Sequence, residues 1–366
     1  MIQMNAFARE DEELIRAELA AVERVIRSGW WILGTEVQAF ESEWAAWSGI
    51  PHAVGVGNGM DALEIGLRAL GIGSGDEVIA PVMTAFASVL AILRAGATPV
   101  FGDIDPKTAI LSVESAARCI GPKTRAIMVV HLYGQAAPLA DFQELCRANK
   151  IDFLEDCAQA HGACSQGKLV GSVGAFAGWS FYPTKNLGAI GDGGALSTTN
   201  AEIAEKARQL RNYGQSARYH HPLIGLNSRL DEVHAAVLRE RLHRLNAWIN
   251  RRREVARALA AGIENPRVGV LPLPIDPLQH VHHLFVVTSP KRDALAVHMK
   301  DQGVETLIHY PVPIHHQEPC RTFRRDPLGL EMSEKHATEC LSLPCNPFLT
   351  DDEVTAVVAA VNSFQG

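Results

Sequence analysis

No apolar run in this chain approaches the ~20 residues a helix needs to cross a bilayer, so no membrane span is expected. Basic residues form no run longer than Arg251-Arg252-Arg253. Lys and Arg total 34 against 41 Asp and Glu, a formal net charge of −7, which leaves no electrostatic footprint for nucleic acid. Met1–Glu10 lacks a basic segment ahead of an apolar one, so no signal peptide is read there and a cytoplasmic setting is expected. The 7 cysteines are odd in number and form no Cys-x-x-Cys pair, which favours reduced thiols over disulfides or a zinc site. The histidine pairs 220–221, 282–283 and 315–316 belong to no His-Glu-x-x-His motif and have no carboxylate set beside them, so no metal is expected. Internal repeats and low-complexity segments are also missing.

What remains is the composition of an ordinary globular protein, with 20% charged and 47% hydrophobic residues. At 366 residues the chain is too long for one small core and suits a large α/β domain with a smaller one. Residues 12–28 read as an amphipathic helix, with Leu14, Leu19, Val22, Val25 and Ile26 on one face and a stop at Gly29. An apolar loop, Trp30–Gly34, and a second helix over 35–47 follow. From residue 52, short apolar runs alternate with helical stretches. The runs at 52–57, 77–82, 98–103, 126–131, 151–155, 176–181 and 194–198 mostly lack polar alternation, as strands buried on both faces do. Helices are expected at 61–71, 84–95, 112–119, 138–149 and 201–213. This pattern implies a mostly parallel sheet of roughly seven strands covered by helices. One long helical segment over 229–262 leads to a strand (283–288) and helices (292–302 and 351–364). The expected division is a large domain over 1–250, with the N-terminal helices, and a small α+β domain over 251–366.

Lys185 stands between the apolar run ending at Ser180 and the glycine-rich Gly191-Asp192-Gly193-Gly194, where no solvated helix face is available. Upstream, Ile151–Glu155 reads as a buried strand that delivers Asp156 at its C-terminal end. A buried amine and a buried carboxylate are what pyridoxal phosphate needs: the amine forms a Schiff base, and the carboxylate keeps the pyridine nitrogen protonated so that the ring accepts electrons. A structural ion pair is the competing reading. Gly55-Val56-Gly57-Asn58-Gly59-Met60 follows a strand and opens a helix, so backbone N–H groups and the helix dipole can cradle a phosphate. The Gly-x-Gly-x-x-Gly spacing of dinucleotide sites is absent, and Gly191–Gly194 lacks the lysine and hydroxyl of a phosphate-binding P-loop. It reads instead as a turn that holds Lys185. Thr84-Ala85-Phe86 lies at the sheet's C-terminal edge, where ligands sit in open α/β folds. Phe86 there is either a ring-stacking surface or core. Gln159 is placed to bond a ring hydroxyl and Ser180 to donate to a phosphate, while residue type favours the core for His161.

Taken in order, these segments resemble the sugar aminotransferases of the DegT/DnrJ/EryC1/StrS family, a branch of the fold-type I pyridoxal-phosphate enzymes. The matching pieces are Gly57–Leu63, Gly75–Ile79, Pro81–Phe86, Glu155–Gly162, Ser180–Gly188 and Gly225–Asp231. They extend the likeness from Gly29–Gly34 to His309–Pro313. The resemblance implies an aspartate aminotransferase-like fold and a set of roles. Lys185 would be the Schiff-base lysine and proton shuttle, and Asp156 the partner of the pyridine nitrogen. Gln159 would meet the ring hydroxyl, and Phe86 would stack on the ring. Ser180 and the amides of Gly59 and Met60 would bind the phosphate. Asn227 would reach that phosphate from the neighbouring subunit, making the active unit a homodimer with shared sites. Met60 departs from the family pattern, where threonine is frequent. That removes a hydroxyl but keeps the backbone amide.

Relatives with histidine in place of the lysine dehydrate their substrates, so Lys185 points to amino transfer. The Gln159–Ala163, Trp30–Gly34 and His309–Pro313 segments look most like enzymes that aminate C3 of a nucleotide-linked 3-keto-6-deoxyhexose, with glutamate as the family's usual donor. Trp30, Trp31, His161, His309 and Tyr310 are the candidate substrate contacts. The competing readings are C4 amination of a 4-keto sugar nucleotide, C3 amination of a UDP-linked keto-uronic sugar, a pyridoxal-phosphate lyase or dehydratase, and a non-catalytic sensor.

Overall fold

A computed structural model describes residues 1–366. Its large sheet uses β1 (His52–Val56), β2 (Glu77–Pro81), β3 (Thr98–Gly102), β4 (Thr124–Val130) and β5 (Asp152–Asp156). A two-residue hairpin, β6 (Cys164–Ser165) and β7 (Lys168–Leu169), interrupts before β8 (Phe176–Ser180) and β9 (Gly194–Thr198) return to the sheet. The order is β1-β9-β8-β5-β4-β2-β3. Pairings from β3 through β8 are parallel, whereas β9 runs antiparallel to both β8 and β1. The expected strands and the mostly parallel sheet are therefore present.

The missing polar alternation has a direct structural reason. Val78, Ala126, Met128 and Leu154 pack into one core with the helix Gly59–Ala69. Their chain neighbours Ile79, Ile127, Val129 and Phe153 pack into another core on the opposite face. Successive side chains of a strand point to opposite faces, so both faces need apolar residues once helices cover both.

The helices Glu12–Ser28 and Thr35–Ser48 form as read. Asp11 caps the first by accepting a hydrogen bond from Leu14 N at 2.8 Å, and Gly29 ends it in the left-handed conformation, φ 65°. The second has no side-chain cap of its own. Instead the buried Glu232 carboxylate accepts hydrogen bonds from the N–H groups of Gly34, Glu36 and Val37 at 2.8, 2.9 and 3.0 Å.

The single long helix expected over 229–262 is two, Glu232–Leu242 and Leu245–Gly262, although no glycine or proline marks the break at His243–Arg244. Tertiary packing divides it. The first piece lies against the two N-terminal helices, and the second against the closing helix Asp351–Asn362. The second piece also serves two cores, with Leu245 and Ile249 in one and Val255, Ala256 and Leu259 in another. That last core covers a three-stranded antiparallel sheet, β10 (Gly269–Val270), β11 (Phe285–Thr288) and β12 (Cys340–Leu343), of which sequence reading found only β11. No helix is long and apolar enough to cross a membrane.

Candidate active site

The C-terminal ends of β2, β4, β5 and β8 converge on one open cavity of about 90 Å³. Its wall includes Gly59, Met60, Thr84, Asp156, Gln159, Ser180 and Lys185, so six of the expected residues meet at one place.

Lys185 is carried by the turn that follows β8. Phe181 N donates to Gly193 O at 2.8 Å, Ala189 N to Phe181 O at 2.7 Å, and Lys185 N to Tyr182 O at 2.8 Å. Gly188 closes this turn, because a Cβ there would lie 2.4 Å from Pro183 O. The buried Arg241 guanidinium, salt-bridged to Glu10 and Glu18, donates to Gly188 O at 3.0 Å and ties the turn to the N-terminal segment. Lys185 itself is half-buried and faces the cavity. Burial lowers its pKa to about 8, and the charge of Asp156 works against that shift.

Asp156 ends β5 and is buried. Ser88 Oγ donates to its Oδ2 at 2.7 Å, and Ala158 N to its Oδ1 at 3.1 Å. Thr84 Oγ1 lies 2.9 Å from Ser88 Oγ, so a buried hydroxyl pair backs the carboxylate. Burial raises the pKa of Asp156 against the pull of Ser88, Ala158 and Lys185. Sequence reading missed Ser88. The only available signal was its position four residues after Thr84, one turn further along.

The corner expected to hold a phosphate is built from backbone. Asn58 caps the helix Gly59–Ala69 by accepting from Asp61 N at 2.9 Å, and the amides of Gly59 and Met60, in the first turn, have no intrahelical partner. A Cβ on Gly59 would lie 2.7 Å from Ser180 Cβ, so only glycine allows these amides and the Ser180 hydroxyl to share one corner.

Gln159 is fixed from two sides. Tyr133 N donates to its Oε1 at 2.7 Å, and its Nε2 donates to Tyr310 OH at 3.1 Å. Tyr133 OH donates to His309 O at 2.5 Å and lies 2.9 Å from His336 Nε2, so the strap bearing His309 and Tyr310 is anchored here. Burial pushes Tyr310 up to about 12 and His309 down to about 4, which leaves both neutral near pH 7. Phe86 opens the helix Phe86–Arg94 between Ala85 and Ala87, both cavity-lining, and is 36% exposed, so it is not a core residue.

The remaining candidates lie elsewhere in this chain. His161 is buried among the rings of Trp44, Trp179 and Phe181, at centroid distances of 5.7, 5.5 and 5.8 Å, and neither ring nitrogen has a partner. Burial lowers its pKa to about 3. The core reading therefore describes His161, and a substrate-facing position does not. Trp30 and Trp31 are exposed and off the cavity, with Trp30 Nε1 donating to Ile32 O at 2.8 Å. Asn227 is also exposed and outside the cavity of its own chain, paired through backbone with Asn212. Tyr219 (82% exposed) and Ile224 (88%), close to Asn227 along the chain, are likewise exposed.

The family profile described as the DegT/DnrJ/EryC1/StrS aminotransferase family matches residues 12–362. A dTDP-3-amino-3,4,6-trideoxy-alpha-D-glucose transaminase from Streptomyces venezuelae is 44% identical over 355 residues, 96% of this chain and 93% of the relative. A dTDP-3-amino-3,6-dideoxy-alpha-D-galactopyranose transaminase from Aneurinibacillus thermoaerophilus is 45% identical over 344 residues, 94% of each. Among solved structures, S. venezuelae DesV in complex with a ketimine intermediate superposes with a TM-score of 0.92 at 43% identity, covering 96% of this chain and 95% of the other.

Proposed function

The chain belongs to the DegT/DnrJ/EryC1/StrS aminotransferase family, and from that premise we propose that it aminates C3 of a dTDP-linked 3-keto-6-deoxyhexose, using pyridoxal phosphate and glutamate in the cytoplasm. The observation that carries the reading is the pairing of Lys185 with Asp156 across a cavity whose far corner is a helix N-terminus. A phosphorylated pyridine aldehyde requires three features: an amine of lowered pKa, a carboxylate for a ring nitrogen, and amides for a dianion. The residues present fit that group. Lys185 would hold it covalently, Asp156 would meet its ring nitrogen, and Gly59, Met60 and Ser180 its phosphate. Gln159 would face the ring hydroxyl and Phe86 the ring. When bound, the cofactor supplies an electron sink for the carbon that bears the transferred nitrogen.

The chain's own residues supply the rest. An amine with a pKa of about 8 accepts and returns a proton near neutrality, as both half-reactions of an amino transfer demand. Ser88 and Ala158 favour the charged form of Asp156, opposing the burial that on balance raises its pKa. Neutral Tyr310 places a hydroxyl beside Gln159, a residue of the cavity wall, where it could meet the sugar. The C3 position and the dTDP carrier come from the names of the two relatives. A homodimer with shared sites is supported by the exposed Asn227 and by the exposed Tyr219 and Ile224 that precede it; Asn227 of the partner subunit would complete the phosphate site.

The test offers 3-keto and 4-keto dTDP-deoxyhexoses at equal concentration with glutamate, products being read by mass and NMR. A 3-amino product is expected. Amination confined to C4, or turnover only of a UDP-linked keto-uronic sugar, overturns the substrate; no amination of any keto sugar by cofactor-loaded protein overturns the activity.

A further inference from the structure

The carboxylate that meets His315 and His316 is not the nearby Glu318 but Glu334, which folding brings to them. The two histidines end the short turn Ile314–His316, and Glu334 stands in the first turn of the helix Glu331–Glu339. His315 Nε2 lies 2.9 Å and His316 Nε2 3.6 Å from Glu334 Oε1, and one ligand atom from each residue falls within 4.8 Å of the others. A tetrahedral zinc ion bound at about 2.1 Å keeps its ligand atoms about 3.4 Å apart, a spacing that the two observed distances bracket. We propose that His315, His316 and Glu334 form a binding site for a divalent transition-metal ion of the zinc class, with water in the fourth position.

The donor chemistry and the access both suit such an ion. Imidazole and carboxylate are ligands that zinc accepts, and three protein ligands leave one position open. His315 is buried and rigidly placed, whereas His316 and Glu334 have side chains about half exposed, so the ion enters from solvent. The His315 Nδ1 atom is buried without a partner. Moving the ring proton there from Nε2 breaks only the bond to Glu334, which coordination replaces. The other three-ligand group, His131, Glu155 and Cys157, has its lone pairs already used. His131 Nδ1 accepts from Ala137 N at 3.0 Å, and Glu155 accepts from Gly171, Val173 and Gly174.

A bound ion would staple the strap that carries His309 and Tyr310 to the helix that carries His336, whose ring meets Tyr133. The site is therefore a clamp on the elements that carry His309, Tyr310 and His336, and it uses no cavity-lining residue.

Equilibrium dialysis of the tag-free, cofactor-loaded protein against zinc, after chelator treatment, tests the proposal. One equivalent per chain is expected, with affinity reduced about 10- to 100-fold in His316→Ala and Glu334→Gln, the scale seen even for outer-shell partners. Both substituted side chains are exposed, and circular dichroism checks that the variants remain folded. Glu334→His, which replaces one ligand by another, should retain uptake. With cobalt in place of zinc, the difference spectrum should show tetrahedral d–d bands without a sulfur charge-transfer band. No uptake, equal uptake in wild type and both variants, uptake lost equally in Glu334→His, or a sulfur band placing the ion on a cysteine would each overturn the site.

Discussion

Lys185 is chemically unlike an exposed lysine because its surroundings penalise charge. Only the neutral amine attacks a carbonyl, so capture of pyridoxal phosphate by cofactor-free protein should accelerate with pH up to about 8 and then level. An unperturbed lysine would keep accelerating to about 10.4. Stopped-flow absorbance distinguishes the two profiles. The same shift makes a stability statement: between those two pKa values the unfolded chain binds the proton and the folded chain does not, so this group's contribution to the stability of cofactor-free protein rises with pH across that window. Borohydride should fix the cofactor on the Lys185 peptide, and Lys185→Ala should lose turnover by orders of magnitude; label on any other lysine would contradict the assignment. For Asp156, Asn keeps the shape without the charge, so Asp156→Asn should retain cofactor and transaminate far more slowly. Ser88→Ala removes a hydrogen bond to a buried charge, a loss of roughly 1.5–3 kcal/mol and so about 10- to 100-fold in kcat if that charge is required throughout. An unchanged cofactor spectrum and rate in Ser88→Ala would show that the hydroxyl only fills space.

Among elements, the helix Thr35–Ser48 is the instructive case. Sequence periodicity finds it, but its N-terminus begins at Gly34 with no capping side chain, and the cap arrives from Glu232 on another helix. Removing that carboxylate leaves three donors without a partner in a buried setting. Glu232→Ala should cost roughly 2–4 kcal/mol of unfolding free energy, with Glu232→Gln recovering part of it, as urea denaturation would measure. The strands were legible because burial on both faces demands continuous apolar runs. The break at His243–Arg244 was not, because neither residue forbids a helix and only the different partners of the two halves impose it. β10 and β12 were missed for a related reason: β10 has only two residues, and Cys340-Leu341-Ser342-Leu343 lacks the β-branched apolar run that marks β11.

Across the whole molecule, one chain leaves Asn227, Tyr219 and Ile224 facing outward while its cavity holds Lys185, Asp156 and Ser180. If Asn227 completes the partner's site, mixed dimers can repair two broken chains. Lys185→Ala and Asn227→Ala proteins, each first shown to be impaired, should regain up to about a quarter of wild-type activity after subunit exchange. Half of the dimers would then be hybrids, each with one intact site. Verified hybrids without recovered activity would falsify sharing through Asn227.

The parallel sheet, the order of its strands along the chain, and the residues that gather at the sheet's C-terminal edge are legible in the chain alone. Those properties are local: apolar continuity, glycines beside a helix start, and a lysine with no solvated face can all be read within a few residues. Folding in three dimensions is what puts His161 in an aromatic core, sets Ser88 and Thr84 behind Asp156, brings Glu232 to cap a distant helix, and joins Glu334 to His315 and His316. Each of these depends on groups many residues or several elements apart. Their meeting is set by how helices pack across the sheet, and no spacing along the chain records it.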